Sequence, residues 1–324
     1  MAFDDDLDVR DAREWMRLAR SGNLAAAWAV SDRIRARRGG VRDWSLPRHL
    51  QQVWDGAPFD GRRVLVRCYH GLGDTIQFIR YAPLVRARAR SVAVWAQPAV
   101  LPLLGGVSGV DQWLALHDGI PDVEYDVDIE IMELPYAFRT TLTTIPDVVP
   151  YLAADPRPLA GDGLRVGVAW RAGDWDSRRS IPFSQLAPLL DADGASFYSL
   201  ELRPTADERH DKLRLLDTDG LVITARTIAA MDLVISIDSM PAHLAGALGV
   251  PTWTLLPFDA DWRWMERRSD NPWYPTMRLF RQGSPGTWTQ VIDDVCAALR
   301  TVGRRKRASN QSFHGSDFDV AITA

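Results

Sequence analysis

Residues 232 to 256 read DLVISIDSMPAHLAGALGVPTWTLL, and few folds accept that order of residue types. Leu233 to Ile237 is a short, β-branched apolar run with the length of a buried parallel strand. Asp238 and Ser239 follow, two residue types that cap helices, and Pro241 suits a first helical turn. Ala242 to Leu248 stops at Gly249, and Val250 to Leu256 reads as another buried strand. Strand, tight turn, helix, strand is a βαβ unit, and it demands a parallel sheet. The turn then lies at the carboxyl end of a strand, where open α/β sheets bind ligands and helix-start amides suit an anion. Two readings follow: a phosphate cradle, or an ordinary βαβ connection with Asp238 as a cap and His243 on the surface.

The same logic appears twice more. GRRVLVRCYHGLGD (61 to 74) is echoed by GLRVGVAWRAGD (163 to 174), two residues shorter. Each heads a run of alternating strand-like and helix-like segments, which predicts two Rossmann-like halves facing one another. In the first half the strands are Val64 to Cys68, Val92 to Ala96, Gln112 to Leu116 and Val127 to Met132, with one helix over Thr75 to Ala89. In the second, a helix near Phe183 to Leu190 and a strand near Ser196 to Leu200 precede the 232 to 256 unit, and Val291 to Leu299 closes it. Before both, residues 8 to 38 carry Trp15, Leu18, Leu24, Trp28 and Ile34 at helical spacing around a Ser21-Gly22-Asn23 turn, a hairpin resembling one tetratricopeptide repeat. One hairpin cannot bury its own face, so it must pack on the body or on a protein partner. The expected division is 1–58 hairpin and linker, 59–158 first Rossmann-like domain, 159–300 second, and 301–324 a disordered tail without periodicity.

Composition narrows the function. With 324 residues the chain can bury a large core, and a net charge of -4 supplies no basic field for nucleic acid. Cys68 and Cys296 cannot make a disulfide framework and read as core thiols. The acidic start, MAFDDDLDVR, lacks an apolar signal core, so the expectation is a cytoplasmic protein, with Arg304 to Arg307 able at most to touch the inner membrane peripherally.

The glycine turn HGLGDT (70 to 75) does not follow the dinucleotide spacing, because Ile76 stands where a third Gly or Ala belongs. That argues against a dehydrogenase. Gly71 and Gly73 would let a ligand approach the backbone, with Asp74 pointing into a cleft as a general base. The competing reading makes Asp74 a helix cap answered by Gln77 three residues on. RAGDWDSRRS (171 to 180) is a basic loop after the second half's first strand, and it should sit beside the Asp238 turn. Micromolar binding needs roughly 8 kcal/mol, whereas a helix terminus gives at most about 2 kcal/mol. A diphosphate therefore also needs charge-assisted bonds from Arg171, Arg178 or Arg179. Asp126 and Asp128 resemble a metal-binding acidic pair, but strand alternation puts them on a wet face. Trp262 and Trp264 fit either a stacking platform or the core.

Together these phrases resemble glycosyltransferase family 9, the ADP-heptose:lipopolysaccharide heptosyltransferases, in its tetratricopeptide-associated branch. QQVWDGAPFDGRRVLV (51 to 66), HGLGDTIQFIRYAPLV (70 to 85), RRSIP (178 to 182), DLVISIDSMPAHLAGALGVPTW (232 to 253) and DWRWMERRSDNPWYPTMRLFRQ (261 to 282) carry the likeness. It implies a GT-B fold and metal-independent, inverting transfer of a heptose-like or hexose sugar from a nucleoside-diphosphate donor, ADP-linked in the family's named reaction. The acceptor would be a saccharide, lipid-linked or protein hydroxyl. No other cofactor is implied. By resemblance Asp74 is the base, Gly71 and Gly73 flank it, and Asp238 lies near the donor sugar. Ser239, His243 and Leu244 would hold the diphosphate, with Arg171, Arg179 and Ser180 as the basic loop. The chain departs from the family at Tyr69-His70 and at Ser239-Met240-Pro241. The alternative is a catalytically inactive, glycosyltransferase-like nucleotide-binding scaffold; an epimerase-type enzyme would need a nicotinamide fingerprint.

Overall fold

The structure, a computed structural model, describes residues 5–39, 41–173, 176–201, 204–216 and 220–314. Helices α1 (Asp5–Arg20) and α2 (Leu24–Arg38) form the N-terminal hairpin. The first lobe runs β1 (Arg63–Arg67), α3 (Leu72–Phe78), α4 (Ala82–Arg86), β2 (Ser91–Ala96), α5 (Leu101–Leu104), β3 (Gln112–Ala115), β4 (Val127–Glu130) and α6 (Leu134–Ala137). The second runs β5 (Leu164–Ala169), α7 (Phe183–Leu190), β6 (Ala195–Ser199), β7 (Leu213–Arg214), α8 (Leu221–Ala229), β8 (Leu233–Ile237), α9 (Met240–Ala247), β9 (Thr252–Leu256), β10 (Met277–Arg281) and α10 (Trp288–His314).

Strand order is β3-β2-β1-β4 in one sheet and β10-β9-β8-β5-β6-β7 in the other, and every pair within them is parallel. Counted from each lobe's first strand, these are 3-2-1-4 and 6-5-4-1-2-3, the doubly wound order with a switch point beside the first strand. The α/β class read from the sequence therefore holds: two parallel-sheet lobes and a helical hairpin. The switch points fall between β1 and β4 and between β5 and β8. The first is bounded by the loops after Arg67 and Glu130, the second by the loops after Ala169 and Ile237.

Three local expectations change. The helix expected over 75 to 89 is broken into α3, a 3-10 turn at Ile79–Tyr81 and α4, because Pro83 has no N–H to continue the ladder. The closing helix runs on to His314, since the basic stretch after Gly303 contains no proline and mostly good helix formers. Only residues 315–324 of the expected disordered tail lie outside the described residues. Asp128 is not on a wet face: it is buried, paired with Arg67 at 2.7 Å and Arg42 at 2.7 Å. Around Arg67 the rings of Trp44, Tyr69, Trp95 and Tyr125 lie within stacking distance of the guanidinium.

The hairpin packs on the body and touches both lobes. Trp28 Nε1 donates to the Thr140 carbonyl at 2.7 Å and Tyr136 donates to Asp32 at 2.7 Å, tying it to the first lobe. Glu266 N donates to the Arg20 carbonyl at 2.8 Å, tying it to the second. Its apolar face is used in this contact, so a protein partner would have to engage the charged face. No helix among the described residues is long and apolar enough to cross a membrane.

Candidate functional site

Both switch-point loops of interest meet where α3 packs on α9. The glycine turn places Gly71 as the N-cap of α3 and Asp74 at its third position, where Oδ2 accepts the Gly71 N–H at 2.9 Å. Asp74 is thus the far half of a capping box, not the cap itself. Its Oδ1 accepts from Arg263 Nη1 at 2.7 Å, and Arg263 comes from the loop after β9 in the other lobe. The same guanidinium donates to Gln77 at 2.9 Å and, through Nε, to Asp261 at 2.8 Å. Burial pushes the Asp74 carboxyl up, but the Arg263 charge and hydrogen bond outweigh it and hold it below 3.8.

From the second lobe, Asp238 is buried and faces an imidazole and two guanidinium groups. His243 Nε2 lies 3.7 Å from Oδ1, Arg179 Nη1 lies 3.9 Å from Oδ2 and donates to the Asp238 carbonyl at 2.9 Å, and Arg263 adds its charge. Burial raises this carboxyl too, and the His243 interaction, then Arg263 and Arg179, bring it below its ordinary value. Asp238 does not cap α9; Ser239 stands at the N-cap with no side-chain cap bond. His243 is not on the surface: its ring stacks on Trp264 at 5.4 Å, and Nδ1 sits 3.1 Å from the Tyr274 hydroxyl.

The two tips touch. A Cβ on Gly73 would stand 2.8 Å from His243 Cδ2, so this glycine serves lobe contact. The expected gap between Asp74 and the α9 tip is filled by His243 and Arg263. Gly73→Ala is expected to cost about 1–3 kcal/mol, because the His243 ring is held on both sides and cannot yield. Gly105, which has nothing within 4 Å of such a Cβ, should tolerate alanine within about 0.5 kcal/mol. Equal melting temperatures for the two variants would refute the close approach.

Other expected residues separate. Arg171 pairs with Glu201 at 3.4 Å and Glu208 at 3.3 Å, and Leu244 is in the core. Ser180 Oγ accepts from Ala172 N at 2.9 Å and shapes the basic loop. Asp174 and Trp175 of that loop lie outside the described residues. Trp262 and Trp264 are buried core, not platforms. Among the described residues no three His, Cys, Asp or Glu gather as a metal site.

Beside this junction the second lobe holds a cavity of about 330 Å³ at the carboxyl ends of β5, β9 and β10. Arg178, Ser180, Gln185, Phe258, Asp259 and Gln282 line it. Gln282 is 3% exposed, and its Oε1 accepts from Phe258 N at 3.1 Å and Gly286 N at 3.2 Å, which fixes the amide orientation. Its Nε2 is then a buried donor without a partner among the described residues. Such donors are rare in native proteins and point to a ligand or water. The loop 176–182 joins the cavity to the charged junction, since Arg178 and Ser180 face one and Arg179 the other. Sequence reasoning missed Arg263, Glu130, Gln282 and the cavity; the first and third lie inside the resemblance-bearing phrase 261 to 282.

No protein-family model matches the chain. Protein FlbA of Caulobacter vibrioides is 24% identical over 327 residues, a match covering 84% of this chain, and the chain spans only 50% of that relative. A glycosyl transferase family 9 structure from Veillonella parvula aligns at a TM-score of 0.49 and 12% identity, covering 70% of this chain and 87% of that one. The TibC glycosyltransferase of enterotoxigenic E. coli gives 0.48 and 12%, covering 82% of each chain. E. coli heptosyltransferase WaaC with ADP-2-deoxy-2-fluoro heptose gives 0.47 and 13%, covering 73% of this chain and 99% of that one. A family 9 glycosyltransferase and heptosyltransferases are thus among the proteins to which this chain is similar.

Proposed function

We propose that the chain is a glycosyltransferase that moves a sugar from a nucleoside-diphosphate donor to an acceptor hydroxyl, with inversion and without a metal ion. The observation that carries this reading is the second-lobe cavity, with the unpaired Nε2 of Gln282 in its wall, joined by the basic loop to a junction of acids and arginines between two doubly wound lobes. About 330 Å³ is at the lower end for a cofactor-sized pocket. Phe258, an exposed aromatic in that cavity, offers a stacking face for a base, with Gln282 Nε2 a buried unpaired donor in the cavity wall. The diphosphate would lie along residues 178 to 180 toward Ser239 and Met240. Among the described residues Arg178 is bonded to the neighbouring Asp176, and it is 74% exposed, so it can swing to the anion. Two arginine bonds at about 1.5–3 kcal/mol each, with the helix start, reach the micromolar range only if the base also contributes. Charge on the departing diphosphate is what these groups would stabilise.

Warming the protein with ADP, UDP, GDP and their sugars is the test. A nucleotide present at about a hundred times its dissociation constant should add about 2.7 kcal/mol of stability. Gln282→Leu should shrink that gain for one base more than for the others. Nucleotide release from the matching donor should persist in excess EDTA; dependence on added Mg²⁺ or Mn²⁺ would refute the metal-free mechanism. One observation favours a second reading, a nucleotide-binding scaffold without turnover: both Asp74 oxygens are already engaged. Nucleotide binding without release from any donor would establish it.

A further inference from the structure

We infer that His70, oriented by Glu130 across the first-lobe switch point, is the proton acceptor of the transfer, and that Asp74 is a positioning residue. This rests on the glycosyltransferase reading above. The register of β1 on β4 sets Arg67 opposite Glu130, so the residues leaving β1 pass the carboxyl end of β4. Glu130 is buried and fixed: Oε1 accepts from Tyr69 N at 3.1 Å, and Oε2 from Met132 N at 2.7 Å. His70 Nδ1 lies 2.9 Å from the same Oε1, with the ring N–H misaligned for a full hydrogen bond. Nδ1 is buried in this contact while 26% of the side chain is exposed, so the exposure belongs to the rest of the ring. Nε2 has no protein partner among the described residues. The His70 carbonyl accepts from Gln97 at 2.6 Å, which steadies the turn.

Asp74 is the weaker candidate on geometry. Each of its oxygens already accepts a bond, Oδ1 from Arg263, which holds the two lobes together, and Oδ2 from the Gly71 amide that starts α3, and the Arg263 charge makes the carboxylate a weaker base. His70 need release nothing. Three charged groups face it: Glu130 from β4, Asp74 from α3 and Arg263 from the second lobe. Burial lowers the imidazole's pKa, but the Glu130 contact and charge, helped by Asp74 against Arg263, leave it above 6.5.

In the step itself the acceptor oxygen bonds to the anomeric carbon as its proton passes to Nε2 of neutral His70. The bond from that carbon to the diphosphate oxygen breaks, and its electron pair leaves with the nucleoside diphosphate. Imidazolium forms beside the Glu130 carboxylate, which balances its charge.

The test compares wild type, His70→Asn, His70→Gln and Glu130→Gln for nucleoside-diphosphate binding, for release of diphosphate from a panel of ADP- and UDP-sugars, and for the His70 ring titration by NMR. Both His70 variants should bind nucleotide as wild type does and lose about 10²–10⁴ in turnover. The acid limb of the wild-type rate should follow the His70 titration, and both should move down together in Glu130→Gln, which removes the charge that raises it. Either His70 variant with full turnover, or an acid limb unmoved in Glu130→Gln, overturns the assignment. So does a wild type that binds nucleotide but releases none. A chain that binds no nucleoside diphosphate defeats the donor reading instead.

Discussion

Replacing Arg263 with alanine is expected to cost about 3–5 kcal/mol of stability, the loss typical when one member of a buried charge network is removed and its partners stay. Arg263 is buried and answers Asp261, Asp74 and Gln77 with 2.7–2.9 Å bonds. Burial disfavours its charge, and those carboxylates with Asp238 more than offset that. Without it, Asp74 keeps a charge inside the lobe contact with only the Gly71 amide bound directly to it. Arg263→Lys should recover part of the loss, because one ammonium cannot span the separated acceptors that the guanidinium fork reaches. Urea unfolding checks this; a loss below about 1 kcal/mol would mean the pair is decorative.

The pH dependence of that variant separates the electrostatic cause from lost packing. In the wild type Asp74 titrates below 3.8. Its ionisation therefore stabilises the fold above the unfolded value, and the contribution disappears as pH falls through the folded one. In Arg263→Ala burial dominates, the Asp74 pKa rises above its unfolded value, and the folded state takes up protons first. The gap between variant and wild type should accordingly narrow as pH falls from about 7 to 4. A gap constant over that range would assign the whole loss to packing.

How far this site was legible follows from what sequence periodicity encodes. Buried parallel strands write themselves as apolar runs, so β1, β2, β8 and β9 and the turns after them could be read directly, and Asp74 and Asp238 with them. Helix α8 is LVITARTIA, rich in β-branched residues that favour strands, and it is helical because it packs on α9. Strand β10, MRLFR, is short and carries exposed Arg278, so it gives no clear run. Arg263 lies in a loop without periodicity, and a lone arginine there looks like surface. His70 and Glu130 are sixty residues apart (130 − 70), and only the pairing of β1 with β4 joins them. The fold is a local pattern, whereas the site is made of tertiary coincidences that no window along the chain contains.

Trp262→Ala should be the largest apolar loss, about 3–5 kcal/mol by the usual cost of truncating a buried tryptophan. Its ring meets Trp15 at 5.5 Å and Trp28 at 6.4 Å in the hairpin, Phe78 at 6.4 Å in the first lobe and Trp273 at 5.9 Å in the second. One core runs through these three parts, from Ala19, Leu24 and Trp28 to Phe78, Leu244 and Tyr274. The hairpin therefore straps the lobes, and Trp262 is the plug beneath the strap. If so, Trp28→Ala and Trp262→Ala should not add: a coupling of about 0.5–3 kcal/mol is expected for residues in one contact network. Trp253 is buried on the far face of the second sheet, in a separate cluster. Its alanine variant should lose comparable stability yet add to Trp28→Ala within about 0.5 kcal/mol. Equal additivity for both pairs would show that the hairpin rides on the lobes without joining them. Any opening of the lobes would then meet no resistance from it.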